Sequence, residues 1–246
     1  MHIVGILFIA ALCGTLVLTP VASWVGKVFG AIDQPGTRKV HTCPCPRTGG
    51  IALFATMTVL VFAAVYVPGI HPWFGWNLDF LYLYSGLAIA FGIGLTDDFI
   101  HVNCLVKLFF QIIAATCAYY SGIYIDHFYL PNLQIEFGFF LSYSLTVLWF
   151  LLFINAVNLI DGLDGLACGI TFFAASVMTI TLVWRSEYQG AAWFAIIAGS
   201  CIGFLRFNLN PATVFLGDGG SYFLGYSMAA FSILAEFKSQ MGASLL

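Results

Sequence analysis

Eight apolar runs separated by short polar breaks constrain this 246-residue chain more than any other feature. A helix needs about 20 mostly apolar residues to cross a bilayer. The runs are Ile3–Val28, Gly49–Val67, Phe80–Leu95, Leu105–Ile123, Phe137–Val157, Leu166–Trp184, Ala191–Phe207 and Tyr222–Phe237. They use up the length, so residues 1–246 are read as a single integral-membrane domain with no soluble domain left over. Composition agrees: 61% of residues are apolar and 8% charged, against about 45–50% and about 25% in soluble domains. The fold class expected is an all-α polytopic membrane protein, a bundle of about eight transmembrane helices. The first run is too long for a removable signal peptide and lacks its small-residue cleavage pattern. The seven cysteines are scattered and form no disulfide framework. Cys43 and Cys45 make a lone C-x-C without the second pair a zinc site needs.

The charges sort by side. Lys27, Arg38, Lys39, Arg47, Lys107 and Arg206 fall at span ends on one side, Arg185 and Lys238 on the other. The positive-inside rule makes the first side cytoplasmic. Six aspartates share it: Asp33, Asp97, Asp98, Asp161, Asp164 and Asp218. Positive-inside accounts for the cations and gives no reason for the acids. Together with Asn155, Asn158 and Asn208 they point to a site assembled from cytoplasmic loops. On the far side, residues 125–137 alternate apolar and polar residues around Pro131-Asn132, a pattern that suits a small extracytoplasmic β-hairpin, with an irregular loop as the alternative. Net charge is only −3, and no nucleic-acid partner is expected.

The densest polar stretch is FINAVNLIDGLDGLAC, residues 153–168. Its two Asp-Gly steps should interrupt the helix. A spacing of three aims Asn158, Asp161 and Asp164 to one face of any helical part. An Asp/Asn-rich turn is the plainer reading, but four such groups in a membrane protein are hard to satisfy without a ligand. Asp97-Asp98 follows the run LAIAFGIGLT and is read as opening the next loop. A charge at mid-bilayer costs at least about 2.5–3.5 kcal/mol, so the pair belongs at the interface or in a wet cavity. A hydrated helix end would need one acid, not two. Asp218 lies in GDGGS, where glycines let the backbone approach a ligand and Ser221 could cap the following helix. Lys107 either snorkels to the interface or answers a phosphate or the acidic pair. Arg38, Lys39 and His41 belong to a basic loop that ends in Gly49-Gly50. Carboxylates, oxygen ligands for a hard cation, cations and glycine-lined backbone make a phosphoryl-transfer set, in which a protein mainly positions groups and neutralises charge.

Four blocks carry a resemblance: DQPGTRKVH…PRTGG (33–50), GLTDDF with KLFFQ (94–111), NAVNLIDGLDGLA (155–167) and FNLNPATVFLGDGGS (207–221). In this order the chain resembles the polyprenyl-phosphate N-acetylhexosamine-1-phosphate transferases, over essentially its whole length. The resemblance implies a Mg²⁺-dependent enzyme, with Mn²⁺ as a substitute. It would move a sugar-1-phosphate from a UDP-N-acetylhexosamine to a polyprenyl phosphate lipid and release UMP. It further implies Asp97 and Asp98 as the catalytic acids, with Asp98 as base; Asn158 and Asp218 as metal ligands; and Asp161 and Asp164 in the nucleotide pocket. Phe215 would stack on uracil, Lys107 and Asn208 would contact phosphate or sugar, and Arg38, His41 and Asn155 would bind substrate. The expected setting is the bacterial inner membrane with the site facing the cytoplasm, and a homodimer is among the expected partners. RKVH with PRTGG is similar to the branch that initiates O-antigen, enterobacterial common antigen or teichoic acid synthesis, so a UDP-GlcNAc donor is expected. The muropeptide branch is the alternative, and a two-step route through an aspartyl intermediate stays open.

Departures are specific. FIHVN after Asp98 lacks the charged residue often found there. Family members continue to a His-rich cytoplasmic loop, so a C-terminally shortened chain, or an inactive homologue, is a further expectation. A transporter would place its acids near mid-span on facing helices; here they sit at span ends on one side. A CDP-alcohol phosphotransferase would show D-G-x-x-A-R, which Asp161-Gly162-Leu163-Asp164-Gly165 does not continue.

Overall fold

A computed structural model describes residues 2–35, 44–64, 77–130 and 133–243. Eight α-helices are present among them: α1 (His2–Phe29), α2 (Gly49–Ala64), α3 (Leu78–Phe99), α4 (Cys104–Tyr120), α5 (Phe139–Ile160), α6 (Leu166–Trp184), α7 (Tyr188–Asn208) and α8 (Gly217–Ala243). Five of these, α1, α3, α5, α6 and α7, are long and apolar enough to cross a membrane, and α2 and α4 are shorter apolar helices. The expected helical membrane bundle is therefore what the chain forms. Four short strands complete it: β1 (Ile32–Asp33), β2 (Cys45–Pro46), β3 (His127–Leu130) and β4 (Leu133–Glu136). Strands β3 and β4 pair antiparallel with His127 opposite Glu136, which is the hairpin expected from the alternating pattern.

Several helices run beyond their apolar cores because polar residues close them. Asn77 accepts from the Phe80 amide at 2.9 Å and starts α3 two residues before Phe80. Asn103 does the same for α4 through the Leu105 amide. Asp97 and Asp98 lie in the last turn of α3 rather than opening a loop, and Asn155 and Asn158 are still within α5. The expected break at Asp161-Gly162 is present: α5 ends at Ile160 and α6 begins at Leu166.

Helix α7 is buried along most of its length and packs on α1, α6 and α2; α8 packs on α3, α5 and α2. Small residues make this possible, as expected where helices associate in lipid without a strong hydrophobic drive. A Cβ at Gly225 would come within 2.6 Å of Ile154 Cα, so only glycine lets α8 lie this close to α5. Outward faces of α1 and α6 present Ile9, Val17, Phe173 and Ile180, as hydrocarbon contact requires.

One strap of chain organises the end where the acids lie. Strand β2 pairs antiparallel with β1. On its other side Phe215 N donates to Pro46 O at 2.8 Å, Gly49 N to Phe215 O at 2.9 Å and Gly50 N to Leu216 O at 2.8 Å. Thr48, fully buried, donates to Ala22 O of α1 at 2.7 Å. Residues 45–50 are thus stitched between the end of α1 and the segment leading into α8, and Arg47 is held at the bundle end.

Candidate active site

Asp218 is the hub of the site. Its Oδ1 accepts from Asn158 Nδ2 at 3.1 Å and from Arg47 Nη2 at 3.5 Å, and its Oδ2 lies 3.6 Å from Lys107 Nζ. The same ammonium is 3.0 Å from Asp97 Oδ2, while Asp97 Oδ1 accepts from the Val102 amide at 2.7 Å. The Tyr222 hydroxyl lies beside Lys107 as well. Groups from α3, α4, α5, α8 and the β2 strap therefore meet within hydrogen-bond and ion-pair distance, as the sequence reading required of Asp97, Lys107, Asn158 and Asp218.

Asp98 faces the start of α8. It is 8% exposed, and both of its carboxylate oxygens are taken by backbone: Asp218 N donates to Oδ1 at 2.8 Å and Gly219 N to Oδ2 at 2.9 Å. Those amides open α8, where several N–H groups have no partner within the helix. The cap of α8 therefore comes from α3, and the cap expected from Ser221 is not formed, because α8 already begins at Gly217. Gly217 has φ +79°, and a Cβ there would come within 2.6 Å of Asp98 Oδ2; the residue must be glycine for this contact to exist. Buried Ser221 donates to Asp218 O at 3.2 Å and accepts from Asn158 Nδ2 at 3.0 Å. Both amide hydrogens of Asn158 are thereby used toward α8.

Asp161 lies in the turn after α5 and joins the same cluster electrostatically. Burial, then the negative charges of Asp98 and Asp218, push its carboxyl well above the usual carboxylate range, against the pull of Arg47 and the Gly217 amide. Four carboxyl groups (Asp97, Asp98, Asp161, Asp218) crowd around two cations (Arg47, Lys107), and a hard divalent cation would relieve the mutual repulsion that raises Asp161. Among the described residues no three His, Cys, Asp or Glu side chains form a ready ligand set. Mg²⁺ keeps waters and substrate phosphates in its shell and takes only one or two carboxylates from a protein. Asp218, with the Asn158 amide turned to present its oxygen, would hold such an ion.

Three expected substrate-binding residues are placed apart from the hub. Asp164 Oδ2 accepts from Asn210 Nδ2 at 2.9 Å and Ala212 N at 3.1 Å, tying the α5–α6 turn to the segment after α7. It does not share the face of Asn158 and Asp161, because helical geometry stops at Ile160. Asn208 is 2% exposed; its Oδ1 accepts from Gly165 N at 3.1 Å and its Nδ2 donates to Val214 O at 3.0 Å. Both ends of that amide hold backbone. Asn155, one turn from Asn158 on α5, donates to Gln111 Oε1 of α4 at 3.0 Å and to Leu151 O at 2.8 Å. Phe215 is half-buried beside the strap. Arg38 and His41 lie outside the described residues, as does Cys43. Cys45 is buried, and that burial pushes its thiol up to about 11, so it is not a reactive thiolate.

Sequence reasoning missed Arg47, whose charge was assigned to the positive-inside loop. Its nearness to Gly49-Gly50 was the available signal, since a glycine pair that docks on α8 brings its neighbour to Asp218. Tyr222, Ser221 and Gln111 gave no signal apart from position.

Fold and site define an integral membrane protein with a cluster of acidic and basic side chains at one end of an all-α bundle. The chain belongs to glycosyl transferase family 4, which it matches over residues 80–236. It is 36% identical over 234 residues to the probable undecaprenyl-phosphate N-acetylglucosaminyl 1-phosphate transferase of Bacillus subtilis, covering 94% of this chain and 63% of that protein. It is 34% identical over 222 residues to the decaprenyl-phosphate N-acetylglucosaminephosphotransferase of Mycobacterium tuberculosis, covering 84% of this chain and 54% of that protein. A phospho-N-acetylmuramoyl-pentapeptide-transferase of Acetivibrio thermocellus is 34% identical over 251 residues, 93% of this chain and 72% of that protein. The chain thus spans a little over half the length of the first two relatives.

Proposed function

We propose that the protein transfers N-acetylglucosamine-1-phosphate from UDP-GlcNAc to a polyprenyl phosphate at the cytoplasmic face of a bacterial inner membrane. The observation that carries this reading is Lys107 bridging Asp97 and Asp218, with Asn158 on the other oxygen of Asp218, at the bundle end that also carries Arg47. The likeness to two prenyl-phosphate N-acetylglucosamine transferases supports the choice of substrates.

In the reaction a lipid phosphate oxygen attacks the sugar-bearing phosphorus of the donor. The bond from that phosphorus to the bridging oxygen breaks, and UMP leaves with it. A phosphate monoester has a second pKa of about 6, so the nucleophile is largely ionised near neutrality, and charge cancellation matters more than proton removal. Lys107 and Arg47 are placed to receive phosphate charge, and Asp97 holds the Lys107 ammonium in position. Asp218 and Asn158 would hold Mg²⁺ on the diphosphate, where the ion supplies charge neutralisation. Phe215, at the mouth of the strap, is the candidate stacking partner for uracil.

The test is transfer of label from a panel of radiolabelled UDP-sugars to undecaprenyl phosphate, with and without EDTA, by purified protein. Labelled lipid and UMP from UDP-GlcNAc, lost with EDTA, are expected. Label only from UDP-MurNAc-pentapeptide would move the protein to the muropeptide branch, and no labelled lipid from any donor would remove the reading.

A further inference from the structure

We infer that Asp98 is a positioning residue: it caps α8 from α3 and so sets where Asp218 stands. The importance of Asp218 rests on the proposed function; the cap itself does not. Three observations converge. Both carboxylate oxygens are engaged by consecutive α8 amides, at 2.8 and 2.9 Å. The side chain is 1% accessible, against 15% for Asp97 and 13% for Asp218, so an arriving phosphate meets the latter two first. Packing around the cap has no slack: a Cβ at Gly94 would come within 2.6 Å of the Asp218 carbonyl carbon, and one at Gly217 within 2.6 Å of Asp98 Oδ2.

The chemistry follows. Two N–H bonds from consecutive residues fix the position and plane of the carboxylate against the start of α8. The Asp218 side chain, on the residue whose own amide is held, moves with the cap. Arg47, 3.8 Å from Asp98 and 3.5 Å from Asp218, spans both carboxylates, so loosening the cap disturbs the cation as well. Adjacent aspartates on α3 thus do different work: Asp97 faces Lys107, and Asp98 faces the backbone of α8.

The test compares Asp98→Asn with Asp97→Asn in the purified protein in nanodiscs. The readouts are hydrogen–deuterium exchange of peptides covering 217–221 and steady-state kinetics with UDP-GlcNAc. Asparagine keeps one acceptor and loses the other. Asp98→Asn should therefore speed exchange at Asp218 and Gly219 on the order of tenfold, raise KM for the UDP-sugar by a similar factor and leave measurable turnover. Asp97→Asn should leave that exchange unchanged. Gly217→Ala, which displaces the cap without altering a charge, should reproduce the exchange and KM pattern, and it carries the test if Asp98→Asn does not fold. Unaltered exchange in Asp98→Asn would overturn the cap. Faster exchange with an unchanged KM and abolished turnover would overturn the positioning role in favour of a proton carrier. If wild type transferred no sugar, the proposed function would fail while the exchange arm still decided the cap.

Discussion

Replacing Gly50 with alanine should disable the site without touching a single polar group in it. Gly50 lies against the start of α8, and its Cβ would come within 2.5 Å of Gly220 Cα and 3.0 Å of the Gly219 carbonyl carbon. Ordinary van der Waals contact begins near 3.4 Å, so strap and helix must part by about 1 Å. Both neighbours are backbone, and neither can turn aside as a side chain could. Gly50 N also donates to Leu216 O at 2.8 Å and Gly49 N to Phe215 O at 2.9 Å, so the same movement strains the stitching that places Arg47. Overpacking of this kind costs about 1–3 kcal/mol of stability. A misplacement of about 1 Å at a reacting centre costs on the order of 100-fold in rate, and Asp218 lies two residues from the contact. Gly50→Ala should therefore fold with a modest fall in Tm and lose about two orders of magnitude in kcat. Paired thermal denaturation and UMP-release assays in nanodiscs measure both. Wild-type turnover in a folded Gly50→Ala protein would refute the claim that strap-to-α8 register sets the site.

Other substitutions separate the remaining roles. Lys107→Met leaves Asp97 and Asp218 facing each other without their shared cation; loss of a charge-assisted bond to phosphate, about 1.5–3 kcal/mol, should weaken the lipid phosphate by roughly 10- to 150-fold in kcat/KM. Unchanged kinetics would remove Lys107 from the site. Asn208→Ala should act on stability instead, because its amide links Gly165 N to Val214 O in a buried position; a loss of about 1–3 kcal/mol is expected, seen as a lower Tm with donor KM unchanged. A changed KM at wild-type Tm would return Asn208 to the substrate. Phe215→Leu should raise KM for UDP-GlcNAc and leave that for the lipid unaltered, and an effect on the lipid alone would contradict stacking on uracil.

The bundle was legible because hydrocarbon-length apolar runs leave few alternatives, and α6 runs from Leu166 to Trp184 as expected from sequence. Ends were less legible where polar residues continue a helix. Asp97 and Asp98 read as a loop because two charges after an apolar run suggest exit into water, yet α3 carries them to Phe99, with Asp98 bonded to amides of α8 and Asp97 to Lys107. The partners of Asp98 lie 120 and 121 residues away, and no local pattern announces a cap supplied from another helix. Asp164 and Asn208 carry residue types that suit a substrate, and no local pattern announces that they also hold loop backbone, since a buried backbone end needs side-chain partners as much as a ligand does. Arg47 shows the converse: one charge can satisfy the positive-inside rule and also belong to the site.

The proposed convergence of Asp97, Lys107, Asn158 and Asp218 on one donor diphosphate is tested most directly by a cryo-EM structure with UDP-GlcNAc and Mg²⁺ bound. The diphosphate should lie within coordination reach of a metal on Asp218, with Lys107 or Arg47 on its oxygens and Asp98 still bonded to the amides of Asp218 and Gly219. A nucleotide bound elsewhere on the bundle, with Asp218 still bonded only to Asn158, Arg47 and Lys107, would contradict it.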